Sequence, residues 1–78
     1  DVMLSSMQKG EECIILGVKD SASTFLKYLD SSGIKLGSEV VVLHREDFDN
    51  SMKIKINDLE LSISNQISKN LFVKKQKL

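Results

Sequence analysis

Six consecutive residues, His44 to Asp49 ("HREDFD"), gather an imidazole and the carboxylates of Glu46, Asp47 and Asp49. Imidazole and carboxylate together suit a transition metal, provided the side chains converge on one point. The same run also reads as a solvated loop in which an aspartate makes a turn, and that is the simpler reading. Glu11 and Glu12 stand beside Cys13, the one cysteine of the chain, and could act as ligands with it. Without a second cysteine no zinc motif forms, so the two carboxylates read as the solvated entrance to a strand. None of the serines has Gly-x-Ser-x-Gly framing, and no paired-carboxylate or phosphate-loop motif is present. Gly33 and Gly37 follow a helical pattern rather than a strand, unlike a nucleotide-binding fingerprint. No catalytic, cofactor-binding or metal-binding residue is assigned on these grounds, and the chain is not expected to be an enzyme.

The bounds on the chain agree with that. Its 78 residues make one domain, and a core of that size contributes about 3–5 kcal/mol of net stability. Eleven basic residues balance eleven acidic ones, so the field that draws a protein to a phosphate backbone or an anionic membrane is missing. No apolar run reaches the roughly 18–20 residues of a membrane span, and no signal-peptide pattern opens the chain. Cys13, set among Ile14, Ile15 and Leu16, reads as a small buried hydrophobe. A soluble protein of the reducing cytoplasm is expected. The chain opens on Asp1, which suggests a piece of a longer polypeptide.

The elements that would position these residues follow from periodicity. Lys9-Gly10 is a turn, and Cys13 to Val18 is an apolar run of strand length that implies cover on both faces. Asp20, Ser21 and Ser23 are candidates to cap a helix. In that helix Ala22, Phe25, Leu26 and Leu29 recur at i, i+3, i+4 and i+7 and face the core. Gly33 closes the helix in the left-handed conformation, Ile34 and Leu36 drop onto the core, and Gly37 completes the reversal. Glu39 to Glu46 forms a central strand that turns polar at its end; by parity His44 shares a face with Val40 and Val42, at the rim. Met52 to Ile56 and Leu59 to Ile63 alternate apolar and polar residues, and Asn57-Asp58 suits a two-residue hairpin. That register sets Ile56 opposite Leu59, Ile54 opposite Leu61 and Met52 opposite Ile63. Ser64 caps a short turn in which Ile67 points inward, Asn70 ends it in the left-handed region, and Leu71 to Val73 is a closing strand before the basic tail of Lys74, Lys75 and Lys77. The fold class expected is mainly β: a small five-stranded, partly open barrel with one helix after the first strand and a short helical turn before the last.

"LSSMQKGEECIILGV", "STFLKYLDSSGIKLGSEVVVLHRE" and "LSISNQISKNLFV", together with the hairpin, resemble the FeoA-type domain, a Src-homology-three-like barrel. Such domains occur at the C-terminus of iron- or manganese-dependent repressors of the diphtheria toxin repressor (DtxR) family, and as small stand-alone partners of the ferrous iron transporter FeoB. "FDNSMKIKIN" looks more like the repressors. The resemblance implies an accessory regulatory domain, the C-terminal part of a longer chain. There a separate N-terminal domain binds DNA, a middle domain dimerises and holds iron or manganese, and the barrel contacts the other domains. The alternative it implies is the FeoB accessory, docked at the membrane's cytoplasmic side. In some members the barrel donates a carboxylate and an amide to an ancillary metal site; those positions fall on Ser21 and Thr24, whose neutral hydroxyls are poor ligands for hard cations. The resemblance also implies a role in binding a proline-rich segment of the same chain, for which Tyr28 and Phe48 are the candidate exposed aromatics, with packing as the plainer role for both.

Overall fold

The computed structural model describes residues 2–77; Asp1, and Leu78 at the end of the basic tail, lie outside them. Strands β1 (Val2–Met3), β2 (Glu12–Val18), β3 (Glu39–Arg45), β4 (Met52–Ile56), β5 (Leu59–Ile63) and β6 (Leu71–Lys75) are joined by helices α1 (Ser23–Ser31) and α2 (Asn65–Ser68). They form one antiparallel sheet in the order β1-β6-β2-β3-β4-β5. This is the Src-homology-three-like, partly open barrel anticipated from the sequence. The five anticipated strands are joined by a sixth, β1, a two-residue strand held at the sheet edge by pairing with Val73 and Phe72. It leads into a 3₁₀ turn, Leu4–Ser6, whose Leu4 is buried together with Met7. A two-residue strand has no period to read, so only its partner in space reveals it.

The hairpin forms in the register that its pattern dictates. Met52 faces Ile63, Ile54 faces Leu61 and Ile56 faces Leu59. Asn57 (φ 50°) and Asp58 (φ 65°) take the left-handed values that a type I′ turn requires. On the outer face Lys53 Nζ reaches diagonally to Glu60 Oε1 at 3.0 Å, although Lys55 is the residue directly opposite Glu60.

Two β-bulges bend the sheet around its core. One lies between Ile15 and Gly17 where β2 pairs with β6, the other between Val42 and His44 where β3 pairs with β4. Each inserts a residue that strict alternation does not count, so the facing of the strand switches beyond it. On β2, Cys13 and Ile15 are buried but Leu16 is 43% exposed, so the run is covered on one face only rather than on both. On β3, His44 pairs with Lys53 on the exposed face and Arg45 pairs with Met52 on the inner face. The parity that grouped His44 with Val40 and Val42 ends at the bulge. Arg45 turns inward instead, and its Nη1 donates to the Met7 carbonyl at 2.7 Å.

Helix α1 closes in a Schellman motif: the Gly33 amide donates to the Asp30 carbonyl at 3.1 Å and the Ile34 amide to the Leu29 carbonyl at 2.9 Å. Leu29 and Ile34, the apolar pair that accompanies this motif, are both buried. Lys35 to Ser38 then make a second turn, in which the Ser38 amide donates to the Lys35 carbonyl and Gly37 takes φ 85°. The Gly37 amide donates to the Ile15 carbonyl at 2.7 Å and the Ile15 amide to the Ser38 carbonyl at 3.0 Å, which locks the reversal onto β2. Leu36 is carried outward at the tip, 66% exposed, and does not join the core as the pattern suggested. At the helix start, Ala22 is the cap residue without a side-chain bond, and Asp20 Oδ1 accepts from the Ala22 amide. Ser64 Oγ does cap α2, accepting from the Ile67 amide at 3.3 Å. Asn70 is not left-handed; its Nδ2 donates to the Gln66 carbonyl at 2.7 Å and closes α2 by a side-chain bond. Strand β6 continues past Val73 through Lys74 and Lys75, which pair with Ile14 and Cys13.

A Cβ at Gly37 would meet no atom within 4 Å, so only its positive φ disfavours other residues. Gly37→Val is expected to lower stability by about 1–2 kcal/mol. Gly37→Asn should lose less, because asparagine tolerates the left-handed region. Thermal melts of the two variants beside the wild type check this; equal melting temperatures for all three would contradict it.

Candidate functional site

Helix α1 leans on the sheet without covering it. Of its apolar face only Leu29 is buried; Phe25 packs at the edge of the core, Leu26 is 42% exposed and Ala22 is exposed. Between this helix and strands β2 and β6 a groove of about 270 Å³ remains. Ile15, Val18, Leu26, Leu29, Ile34, Leu36 and Leu71 line it, with Asp30 and Lys35 as its charged members. Helical spacing placed Leu26 in the core, so the periodicity conceals this groove. The signal available in the sequence was a surplus: more apolar residues on one short helix and its following turn than a single small sheet can bury.

The residues with metal-ligating chemistry are spread apart. Among the described residues no three His, Cys, Asp or Glu side chains are grouped so as to hold an ion. In the 44–49 run, Glu46 Oε2 accepts from the Phe48 amide at 3.3 Å and Asp49 Oδ1 from the Ser51 amide at 2.9 Å. Bonds from the Ser51 side chain and backbone hold the Asp49 carboxyl below its usual range. The loop is thus built by its own carboxylates, while His44 faces outward opposite Lys53. Ser21 and Thr24 are both exposed at the start of α1. Glu11 Oε1 accepts from the Gln8 amide at 2.6 Å and Glu11 Oε2 pairs with Lys75 Nζ at 3.1 Å. The Gln8 amide, and then Lys75, lower its pKa.

Cys13 is fully buried, and loss of hydration, with a smaller push from Glu11, raises its thiol pKa to about 11. Tyr28 sits on α1, 38% exposed, and Phe48 stands at the tip of the β3–β4 loop, 94% exposed. Neither lines the α1 groove. Gly33 and Gly37 shape the reversal at the end of α1, as described above.

The family model for the FeoA domain matches residues 2–75. The chain belongs to the FeoA domain family. Among solved structures, a manganese-dependent transcriptional repressor overlays it with a TM-score of 0.90 at 21% identity, covering 96% of this chain and 41% of the repressor. An iron uptake regulatory protein (FeoA) overlays with a TM-score of 0.83 at 21% identity, covering 96% of each chain. The FeoA protein from Chlorobium tepidum matches with a TM-score of 0.83 at 16% identity, covering 97% of this chain and 71% of its own. None of the curated proteins matches the chain in sequence. The fold is therefore shared by domains within metal-dependent repressors, of which this chain spans about two fifths, and by FeoA proteins of similar length.

Two outcomes are expected. A thiol reagent at pH 8 should label Cys13 only after denaturation, because the native thiol is buried and protonated. The linkage has a definite sign: with the folded pKa near 11 above the ordinary 9.0, the unfolded state loses its proton first, so this group's stabilisation is intact below pH 9 and falls as pH rises toward 11. Rapid native labelling at pH 8 would contradict both statements. Manganese or ferrous iron added to the 78-residue chain should leave its melting temperature unchanged, since an ion that bound the fold would raise it by mass action. Differential scanning fluorimetry in anaerobic buffer checks this.

Proposed function

We propose that this FeoA domain is the accessory regulatory domain of an iron- or manganese-dependent transcriptional regulator. It acts in the cytoplasm through contacts with other domains of its own chain, without catalysis, and leaves metal sensing, dimerisation and DNA to those domains. The observation that supports this best is the overlay on a repressor's domain with a TM-score of 0.90 across 96% of this chain. The balanced charge and the absence of a ligand cluster among the described residues fit a contact surface rather than a DNA reader or a metal centre. Tyr28 and Phe48 are its candidate aromatic contacts, because exposed aromatic rings gain most from a partner's surface. The second reading, an accessory of the ferrous iron transporter FeoB, is favoured by the 96% coverage of a FeoA chain in both directions.

Recovery of the native protein with an antibody to this domain, followed by mass spectrometry, separates the two. Peptides of a winged helix-turn-helix in the same polypeptide are expected. A short polypeptide co-purifying with a membrane transporter would overturn the regulator in favour of the accessory.

A further inference from the structure

Strand β5 is an edge of the sheet, paired with β4 on one side only. Its hairpin turn has two residues, so Ile56 and Leu59 exchange backbone bonds, and the alternation carries those bonds to Leu61 and Ile63. The amides and carbonyls of Glu60 and Ser62 therefore point away from β4. No backbone group elsewhere among the described residues bonds to them. Natural edges are usually blunted by proline, a bulge or a row of charges. Strand β5 has neither proline nor bulge, and its one charge, Glu60, is drawn back toward Lys53.

We propose that β5 pairs antiparallel with β5 of a second copy of this chain, about a two-fold axis through Leu61. The strand "LELSI" is complementary to itself in that register. Glu60 of each copy faces Ser62 of the other, and these are the residues whose backbone groups are free, so the pair closes with four backbone hydrogen bonds. Leu61 meets Leu61 as a close, non-hydrogen-bonded pair, and Leu59, 65% exposed in one copy, faces Ile63 of the other. No like charges oppose each other. Any other register that uses the free groups sets Glu60 against Glu60, or Ser62 against Ser62 with fewer contacts. The symmetry is isologous, so association stops at two. This interface lies in the domain itself and is separate from any dimerisation elsewhere in a longer parent.

Sedimentation equilibrium of the 78-residue chain over a range of concentrations tests it, and a reversible dimer is expected. Ser62→Glu sets carboxylates opposite each other twice across the interface and should weaken the dimer roughly two- to thirtyfold. Within each copy the same change faces Lys53, so the melting temperature should not fall. Adding Glu60→Lys to Ser62→Glu restores opposite charges across the axis and should restore the dimer. A chain that stays monomeric up to ~1 mM overturns the proposal, as does a dimer whose affinity Ser62→Glu leaves unchanged or the double variant fails to restore.

Discussion

A chain this short has one sheet with which to make an interior, so the sheet must curl until one face encloses the apolar side chains. The bulges at Leu16 and Leu43 allow this. Each breaks the alternation of its strand, increases the local twist and turns the strand's end toward the core. The buried set, from Leu4 and Met7 through Cys13, Val40 and Ile54 to Val73, lies along that curved face, and among the described residues Ser68 is the one polar side chain buried with it. Arg45 shows what the bend demands. Its aliphatic stem lies on the inner side of β3 while its head meets the Met7 carbonyl, a position that a regular strand would have given to His44.

The helix is attached to this sheet at one end. The Schellman closure at Gly33, the burial of Leu29 and Ile34, and the bonds from the Gly37–Ser38 turn to Ile15 secure the C-terminal end of α1. Its N-terminal end lacks a side-chain cap and buries little. Leu26 and Leu36 consequently border an open apolar groove instead of filling a core. Groove and free edge together leave two surfaces open, whereas the carboxylates of Glu11, Asp20, Glu46, Asp49 and Glu60 are engaged in turns and ion pairs.

Much of the fold was legible because several local signals agreed. Asn57-Asp58, with alternating residues on either side, permits one register, and Ser64 three residues before Ile67 is a cap in sequence as in space. The glycines at 33 and 37 stand where positive φ is needed, one after the last apolar residue of a helix and one in a tight turn. What misled was parity carried too far. Alternation groups His44 with Val40 and Val42, and the bulge that overturns this leaves no mark in composition, while the unbroken apolar run from Cys13 to Val18 implies cover on both faces where one small sheet supplies it on one. The metal-like grouping at 44–49 was closeness along the chain, and the turn made by Glu46 and Asp49 directs its side chains to amides rather than to one point.

The sequence by itself determined the order of the elements from β2 onward, the hairpin register, both glycine turns, the family and the lack of a catalytic motif, because these depend on residues adjacent along the chain and on backbone preferences that each residue carries with it. Only the tertiary structure decided which apolar residues stay exposed, where β1 pairs, how the bulges switch Arg45 for His44, and which strand keeps a free edge. Those outcomes depend on how much surface one small sheet can cover and on which backbone groups find partners far away in the chain, and neither quantity is written in any local pattern.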